Sequence, residues 1–387
     1  MRARPTSRVA AAATAPSLQR RLLLVVLVAL VLFEVLRSFG TQAPVVSVLH
    51  PRTPSLSPAN GPAPSHDTWP LRHFPHAAET TQTFPQYGTS ERGVHYRLEN
   101  TLLLSKRDTR KNALLVVVVL NDHTSWGPKR SAADFFELFA AFTHPKHQTS
   151  LTLLTSSATE FRVLQQELQQ RIHEYAVLSL LLRNDLNLAH SLSRDNRHDH
   201  RVQKERRRML ARYRNFALLS TLAPWHEHVV WLDADVHIVP PVLVSKMIAS
   251  QREIVEPICL YGEPPNTYEY DLNAWVGTRK RPGSLRGERN GFVPGDLHVN
   301  RMTQYRDDPR EFIPLDSVGG TMLYVRAEVH RQGVLFPHHY VVGGQWDLEG
   351  FDGIETEGLC YSAHFLGFKC WGMPHDAIYH VRSASGH

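Results

Sequence analysis

Two aspartates separated by one residue, Asp233 and Asp235, interrupt an apolar stretch with the sequence VVWLDADVHIVPP. In an extended segment, residues i and i+2 face the same side, so both carboxylates can converge on one point. Unpaired carboxylates that close repel each other, and a divalent cation removes this repulsion. Mg²⁺ and Mn²⁺ bind one or two carboxylates together with phosphate oxygens of a substrate. The pair predicts a metal and diphosphate site, whereas a bare D-x-D is more often a solvated strand end.

A basic helical segment, KERRRMLARYRN, lies shortly before this stretch. Arg208, Arg212 and Asn215 fall at positions i, i+4 and i+7 and therefore share one face of a helix. An arginine face directed at the edge of a sheet can hold a diphosphate through bidentate hydrogen bonds. Two other interpretations stay open. The basic run could instead form a solvated surface or bind nucleic acid. The lack of interleaved aromatic residues disfavours binding of nucleic acid.

Later segments carry further polar residues with chemical potential. Asp316 stands three residues before the paired glycines of IPLDSVGG, where it can orient a hydroxyl group of a ligand. Glycines permit a close approach of the backbone to a ligand, or simply a sharp turn. Glu355 and Glu357 follow, and His380 stands near the C-terminus between apolar neighbours. A neutral imidazole can join carboxylates as a metal ligand, although a lone histidine is usually structural.

Alternating apolar runs and helical patterns must position these residues. Strands are predicted at Asn112–Asp122, Ser150–Thr155, Val229–Val236 and Glu253–Tyr261, and helices at Ala132–Phe142, Ala158–Ala176, Lys204–Leu222 and Pro241–Ser250. This rhythm predicts an α/β fold with a mostly parallel central sheet and helices on both faces. Ligands of such sheets bind at the carboxyl ends of the strands. We therefore expect Asp122, which ends the first strand, to join Asp233 and Asp235 in binding a cofactor.

The N-terminal part of the chain has the composition of a membrane anchor and a stem. Residues 1–21 are rich in arginine, 22–39 are mostly apolar, and 40–91 are rich in proline. By the positive-inside rule, we predict a cytoplasmic tail, a signal-anchor transmembrane helix, a luminal stem and a luminal domain over 92–387. The apolar run is short for a full span, so a cleaved signal peptide is the alternative.

Composition narrows the class of protein. The 387 residues are 42% hydrophobic and 21% charged, which is ordinary for a globular protein. The net charge of +6 fits nucleic acid, an anionic membrane or a phosphorylated small molecule. Without a C-x-x-C pattern, the three cysteines disfavour a cysteine zinc site. They permit one disulfide, and Cys360–Cys370 is one candidate pairing.

The ordered motifs RRRMLARYRN, WLDADV, YEYDLNAW, LDSVGGTMLYVRAEVHRQGVLFP, ETEG and IYHV carry a family resemblance. From about residue 112 to residue 381, the chain resembles the fungal mannan-polymerase α-1,6-mannosyltransferase subunits. The resemblance implies a glycosyltransferase A-type fold, GDP-mannose as donor, Mn²⁺ or Mg²⁺ as metal, and a mannan acceptor on N-glycans, with retention at the anomeric carbon. It also implies a complex with related subunits, and a type II location in the Golgi membrane with the catalytic domain in the lumen.

The same resemblance assigns roles to individual positions. It implies that Asp233 and Asp235 hold the metal and the diphosphate, and that His380 lies near the metal. Asp271, in YEYDLNAW, matches an aspartate important for activity. The other residues expected to border the nucleotide or the reacting sugar are Arg208, Arg212, Asn215, Asp316, Glu355 and Glu357.

Two other functions stay open at this point. One is a non-catalytic scaffold subunit of such a complex, against which the intact Asp233, Asp235, Asp271 and His380 argue. The other is a secreted basic protein that binds polyanions. We expect no nucleic-acid partner, because the predicted anchor and the arrangement of the basic residues both disfavour one.

Overall fold

The computed structural model describes residues 74–186, 200–263, 266–279, 297–346 and 348–381. Its strands are, in chain order, β1 (Ala77–Pro85), β2 (Arg92–Asn100), β3 (Leu114–Leu120), β4 (Thr149–Thr155), β5 (Val177–Leu182), β6 (His228–Leu232), β7 (Val236–Ile238), β8 (Ile254–Glu263), β9 (Asn266–Glu269), β10 (Trp275–Arg279), β11 (Leu297–Arg301), β12 (Ile313–Leu315), β13 (Met322–Arg326) and β14 (Cys370–His380). Its α-helices are α1 (Thr101–Leu104), α2 (Ala132–Ala140), α3 (Ala158–Arg171), α4 (His200–Thr221), α5 (Leu243–Ala249), α6 (Ala327–Arg331) and α7 (Thr356–Phe365).

Four apolar strands form the parallel centre of the main sheet. β3 pairs in parallel with β4 on one side and with β6 on the other, and β4 pairs in parallel with β5. These strands are almost entirely buried, because helices cover both faces of the sheet. The prediction of an α/β fold with a mostly parallel centre and helices on both faces is confirmed.

Antiparallel pairs extend this centre in both directions. The order of the main sheet is β1-β2-β5-β4-β3-β6-β13-β8-β14-β12, with β7 paired to β14 and β9 paired to β8. β13 runs antiparallel to both β6 and β8, whereas β8 and β14 are parallel. The start of β13 and the end of β14 therefore lie at the same edge as the carboxyl end of β6, where ligands of such sheets bind.

Alternate residues of each central strand enter opposite cores. Leu114 and Val116 of β3 face one core with Phe135 of α2 and Leu164 of α3. Leu115 and Val117 face the other core, and Ala211 of α4 belongs to that second cluster. This period of two fixes α4 on the second face of the sheet.

The predicted third strand, Val229–Val236, is divided in two by the structure. β6 stops at Leu232, and β7 begins at Val236 and pairs with a different strand. The backbone N–H of Val236 donates to the carbonyl of Asp233, at 3.3 Å, so a tight turn carries both aspartates. The other predicted helices and strands lie within a few residues of their observed bounds.

The N-terminal predictions fall mostly outside the described residues. The tail at 1–21 and the anchor at 22–39 lie there entirely, and among the described residues no helix is long and apolar enough to cross a membrane. β1 lies inside the range predicted to be stem and forms a hairpin with β2. Farther along the chain, Cys360 and Cys370 form a disulfide that ties the middle of α7 to the start of β14.

Candidate functional site

The aspartate pair stands at the carboxyl end of β6, where three strands meet. The N–H of Asp233 donates to the carbonyl of Thr321 at 2.9 Å, which joins the pair to the residues before β13. The N–H of Val381 donates to the carbonyl of Asp235 at 3.0 Å, which joins it to the end of β14. Backbone hydrogen bonds on both sides therefore fix the turn that carries the two carboxylates.

Asp235 and His380 lie in direct contact. The Nε2 atom of His380 is 2.9 Å from Oδ1 of Asp235, and both residues are buried. The Nδ1 atom of His380 lies 2.7 Å from the carbonyl of Val381, and Tyr270 stacks on the ring at 3.6 Å. Because a carbonyl oxygen only accepts, Nδ1 carries the proton. The Nε2 atom therefore directs either a lone pair or a second proton at the carboxylate.

Asp233 is held by an arginine of α4. The Nη2 atom of Arg214 lies 3.2 Å from Oδ1 of Asp233 and donates also to the carbonyl of Gly320 at 3.3 Å. The side chain of Asp233 keeps 37% of its surface exposed. Protein atoms nevertheless enclose the carboxyl enough that desolvation raises its pKa to about 6, despite the opposing effect of Arg214.

A buried ion-pair network extends from Arg214 away from the aspartates. Nη1 of Arg214 lies 2.5 Å from Glu355, and Nε of Arg207 donates to the other oxygen of Glu355 at 3.2 Å. Arg207 also reaches Glu357, at 3.1 Å. We call these four residues the buried network. All four are less than 10% exposed, so each charge depends on its partners for solvation.

Glu355 has a strained backbone. Its φ angle is +58°, which is uncommon for a residue with a side chain. The next residue, Thr356, begins α7, and the N–H of Glu355 donates to the carbonyl of Pro337 at 2.7 Å. Strain of this kind persists where the surroundings over-determine the conformation, as the buried network does here.

The paired glycines before β13 allow two charged side chains to approach the backbone. A Cβ atom on Gly319 would lie 1.8 Å from Oδ2 of Asp271, and one on Gly320 would lie 2.6 Å from Nη1 of Arg214. Asp271 accepts hydrogen bonds from the N–H of Gly320 at 2.8 Å and from the hydroxyl of Thr321 at 2.9 Å. Asp271 therefore orders the backbone that borders Asp233.

Glu256 supports the same backbone from beneath. Its Oε2 atom accepts the N–H of Gly319 at 2.7 Å, and the residue is 1% exposed. Burial and the neighbouring Asp271 raise the pKa of Glu256 well above its usual value. Its surroundings therefore disfavour the charged form relative to an exposed glutamate, although the N–H of Gly319 opposes this effect.

Of the predicted site residues, the structure brings Asp233, Asp235, Asp271, Glu355 and His380 to one place, with Glu357 behind them. Arg208 and Asn215 contact groups other than the aspartates. Arg208 pairs with Glu349 at 2.8 Å, Arg212 is exposed, and Asn215 bonds both the N–H and the carbonyl of Phe336. Their predicted roles at the nucleotide stay predictions.

The two remaining predicted residues stabilise local backbone. Asp122 caps the short 3₁₀ turn at His123–Trp126 by accepting the N–H of Thr124 at 2.9 Å. It still stands at the carboxyl end of β3, as predicted. Asp316 is exposed and accepts the N–H of Gly277 at 2.7 Å, so it fastens β10.

Sequence reasoning missed the arginines that reach the site. Arg207 and Arg214 share a helix face with Ala211 and Leu218, at spacings of four, three and four residues. Ala211 and Leu218 are buried, and so are the two arginines. Apolar residues at helical spacing therefore carried the signal for the inward face of α4. The spacing of Arg208, Arg212 and Asn215 predicts a different face of the same helix, because it considers the polar residues without the apolar ones.

The donor set at Asp235 and His380 fits a divalent cation. A proton on Nδ1 leaves Nε2 available toward the carboxylate, and a cation between them satisfies both lone pairs. Among the described residues, no group of three or more His, Cys, Asp or Glu side chains is arranged to hold a metal ion by itself. Mg²⁺ held by one or two protein carboxylates usually takes its other ligands from water and from phosphate oxygens of a bound molecule.

Comparison with known proteins places this arrangement in a family. Residues 93–340, more than half of the chain, match the model of the Anp1 family. This chain belongs to the Anp1 family. The resemblance inferred from the ordered motifs is thereby confirmed, and the site lies mostly within the matched residues. His380, Glu355 and Glu357 lie beyond them.

Several curated relatives in this family are subunits of mannan polymerases. The chain is 32% identical over 215 residues to mannan polymerase complex subunit MNN9 of Candida albicans, which covers 52% of this chain and 56% of the relative. It is 29% identical over 255 residues to mnn9 of Schizosaccharomyces pombe, covering 61% and 73%. It is 24% identical over 285 residues to the mannan polymerase II complex ANP1 subunit of Saccharomyces cerevisiae, covering 67% and 54%. The chain thus spans little more than half of the first of these relatives.

Solved structures give weaker likenesses. A mannosyltransferase from Pyrobaculum calidifontis in complex with GDP-Man and Mn²⁺ matches with a TM-score of 0.40 and 12% identity, covering 70% of this chain and 58% of the other. GalNAc-T7 with UDP, GalNAc and Mn²⁺ matches with a TM-score of 0.42 and 12% identity, covering 71% and 44%.

Proposed function

We propose that this protein is a mannosyltransferase. In this proposal it transfers mannose from GDP-mannose to an α-linked mannan acceptor on N-glycans, with retention and through an α-1,6 linkage. It does so as one subunit of a complex with related chains. Family membership and the names of the mannan polymerase relatives support the substrate class and the complex.

The observation that carries the proposal is the geometry at the end of β6. Asp235 and His380 offer a carboxylate and an imidazole 2.9 Å apart, and Arg214 holds Asp233 beside them. Asp235 and His380 would hold Mn²⁺ or Mg²⁺, together with diphosphate oxygens. When bound, the cation supplies electrostatic stabilisation of the charge that develops on the departing diphosphate.

The remaining side chains hold Arg214 and the backbone beside Asp233 in place. Asp271 and Glu256 fix the glycine backbone next to Asp233, and the buried network fixes Arg214 from behind. Such preorganised charges contribute to catalysis because they need no reorganisation during the reaction.

The basic segment of α4 does not favour polyanion binding. Lys204 pairs with Glu349 at 2.6 Å, Arg208 pairs with Glu205 and Glu349, and Arg207 is buried in its own ion pairs. The cations that made this segment strongly basic in sequence are thus largely neutralised by neighbouring carboxylates.

We further propose a location in the Golgi membrane, with the domain in the lumen. The support is the arginine-rich range 1–21 followed by the apolar range 22–39. Alkaline carbonate extraction of membranes and protease protection of intact vesicles test this proposal. Release by carbonate, or digestion of the C-terminal part in sealed vesicles, would contradict it.

A thermal-shift panel of nucleotide sugars with the full-length protein tests the donor. A ligand that binds only the folded state raises apparent stability by mass action. We expect GDP-mannose to raise the melting temperature when Mn²⁺ is present, and UDP-sugars to leave it unchanged. Equal shifts with UDP-sugars would refute the assignment of the donor.

Turnover separates the catalytic proposal from a scaffold role. We expect Mn²⁺-dependent release of GDP by the wild type and its loss in Asp235→Ala, with the fold retained by circular dichroism. Asp307→Ala is the matched control, because Asp307 is exposed and lies outside the site. Binding of GDP-mannose without turnover, combined with activation of a partner subunit, would favour the scaffold instead.

A further inference from the structure

An arm of the chain projects beside the candidate site. It comprises residues 340–346 and 348–352. Val342 and Asp352 pair across it, with hydrogen bonds of 3.0 Å from the N–H of Val342 and 2.9 Å from the N–H of Phe351. Gln345 and Leu348 exchange two further backbone hydrogen bonds, of 2.9 and 3.0 Å, near its tip. The arm is thus a hydrogen-bonded hairpin with Trp346 at the turn.

The base of the arm rests on the buried network. Just before the arm, the carbonyl of Pro337 accepts the N–H of Glu355 at 2.7 Å, and just after it Glu355 contacts Arg214. Glu355, which holds Arg214 toward Asp233, therefore contacts the chain just before the arm and itself stands just after it. One arginine side chain therefore separates the base of the arm from Asp233.

The arm also follows α4 beyond the edge of the sheet. Because β5 and β6 are parallel, α4 runs back from the carboxyl edge of the sheet, and its first turns lie on the side of the site. Glu349 of the arm binds Lys204 at 2.6 Å and Arg208 at 2.8 Å. These positions precede Arg214 by roughly 9–15 Å along the helix axis. The arm is therefore attached to the part of α4 that projects past the aspartates.

Close packing between its two strands restricts the arm. A Cβ atom on Gly350 would lie 2.0 Å from the carbonyl oxygen of Val342, and one on Gly343 would lie 2.4 Å from the ring of Phe351. Tyr340 donates its N–H to Glu349 at 2.9 Å. The arm therefore presents its tip in a defined direction.

The tip exposes an indole that nothing in the described chain covers. Trp346 is 93% exposed, whereas Trp126, Trp231 and Trp275 are at most 2% exposed. Val341 and Leu348 add smaller apolar surfaces beside it, at 37% and 46% exposure. An anchored hairpin that holds a large apolar ring in water indicates a binding role, since burial of that ring is favourable.

We propose that Trp346 is a stacking platform for a hexose ring of the acceptor glycan. A pyranose has one face of C–H bonds and a polar rim, so a single flat aromatic ring matches its size and chemistry. A stable protein interface buries about 800 Å² on each partner, far more than one indole with two small neighbours supplies. The proposal rests on the proposed function, because it supplies the acceptor that the function requires.

Steady-state kinetics with an α-linked mannooligosaccharide test the platform in the full-length protein. We expect Trp346→Ala to raise the KM for the oligosaccharide about five- to tenfold, the loss of one aromatic contact. Trp346→Phe should keep most of the affinity. The KM for GDP-mannose and its thermal shift should stay unchanged, because the donor binds at the aspartates.

Phe365→Ala is the matched control. Phe365 is 85% exposed, yet it precedes the start of β14 and so lies toward the opposite edge of the sheet. We expect its acceptor KM to equal that of the wild type. An unchanged acceptor KM in Trp346→Ala would overturn the proposal. The proposal would also be overturned if the sole effect of Trp346→Ala were weaker association with a partner subunit.

A binding measurement separates this proposal from the proposed function. The mannooligosaccharide should protect tryptophan fluorescence from acrylamide quenching in the wild type and not in Trp346→Phe. If the wild type never consumes GDP-mannose, the proposed function fails, while this protection still supports the platform. If the wild type turns over but shows no protection, the platform fails alone.

Discussion

Removal of Arg214 is the sharpest test of how the site is held. We consider Arg214→Met, which keeps the length and apolar stem of the side chain but deletes its charge. The substitution removes the contacts to Asp233 at 3.2 Å, to Glu355 at 2.5 Å and to the carbonyl of Gly320 at 3.3 Å. The carboxylates of Asp233 and Glu355 then both lack the positive charge of Arg214.

The expected loss follows from burial. Deleting one partner of a buried ion pair costs about 3–5 kcal/mol, because the other charge stays desolvated. Glu355 keeps Arg207 as a partner, and the side chain of Asp233 is 37% exposed. Both facts place the loss near the lower limit, at about 3 kcal/mol. Loss of the Arg214 charge also raises the pKa of Asp233 further above its present value of about 6.

Urea unfolding of Arg214→Met and of Arg212→Met provides the measurement. Arg212 lies two residues away on the same helix but is exposed, so its removal should change the free energy of unfolding by less than about 0.5 kcal/mol. A double-mutant cycle with Glu355→Gln should give a coupling of more than about 1 kcal/mol. Equal stabilities of the two arginine variants would refute the reasoning.

Three further changes test other parts of the molecule. Gly319→Ala places a Cβ atom 1.8 Å from Asp271, so we expect about 2 kcal/mol less stability in urea unfolding, and wild-type stability would contradict the packing. Burial lowers the pKa of His330 to about 4, so between pH 6.5 and about 4 the unfolded chain binds the extra proton and stability falls as the pH falls. His330→Gln should flatten that slope by up to about 1.4 kcal/mol per pH unit, and an unchanged slope would refute the assignment. Reduction of Cys360–Cys370 should cost about 3 kcal/mol of stability, measured by unfolding with and without dithiothreitol; identical midpoints would contradict this.

The central strands could be predicted because burial on both faces requires continuous apolar runs. β3 and β4 show such runs, and their bounds differ from the prediction by at most two residues. β1 escaped prediction because its sequence, AAETTQTFP, is polar and mostly exposed, and pairing with β2 alone makes it a strand. β5 was not predicted, since its short run of leucine and valine directly follows a helical pattern and suits either structure over a short window.

The site was predictable where the chemistry is local. Asp233 and Asp235 were identified because two carboxylates in an apolar strand are unusual within a few residues. The contact between Arg214 and Glu355 joins positions 141 residues apart, and no local pattern encodes it. The face of α4 that meets the sheet is decided by tertiary packing, which places Ala211 and Leu218 inward and carries the arginines with them.

The balance of charge explains why the aspartates need an external partner. The two arginines and two glutamates of the buried network neutralise one another, so the network supplies no net positive charge to the site. Asp233 then shares Arg214 with that network, and Asp235 has His380 as its neighbour. Desolvation is the main reason that the pKa of Asp233 is raised to about 6, and the neighbouring carboxylates of Asp235 and Asp271 add to that rise. A divalent cation bound with a diphosphate would correct this shortage of positive charge.

We therefore expect Mn²⁺ alone to bind weakly and nucleotide diphosphate to increase its affinity, as measured by calorimetric titration. Tight Mn²⁺ binding without nucleotide would show that the protein completes the metal site by itself.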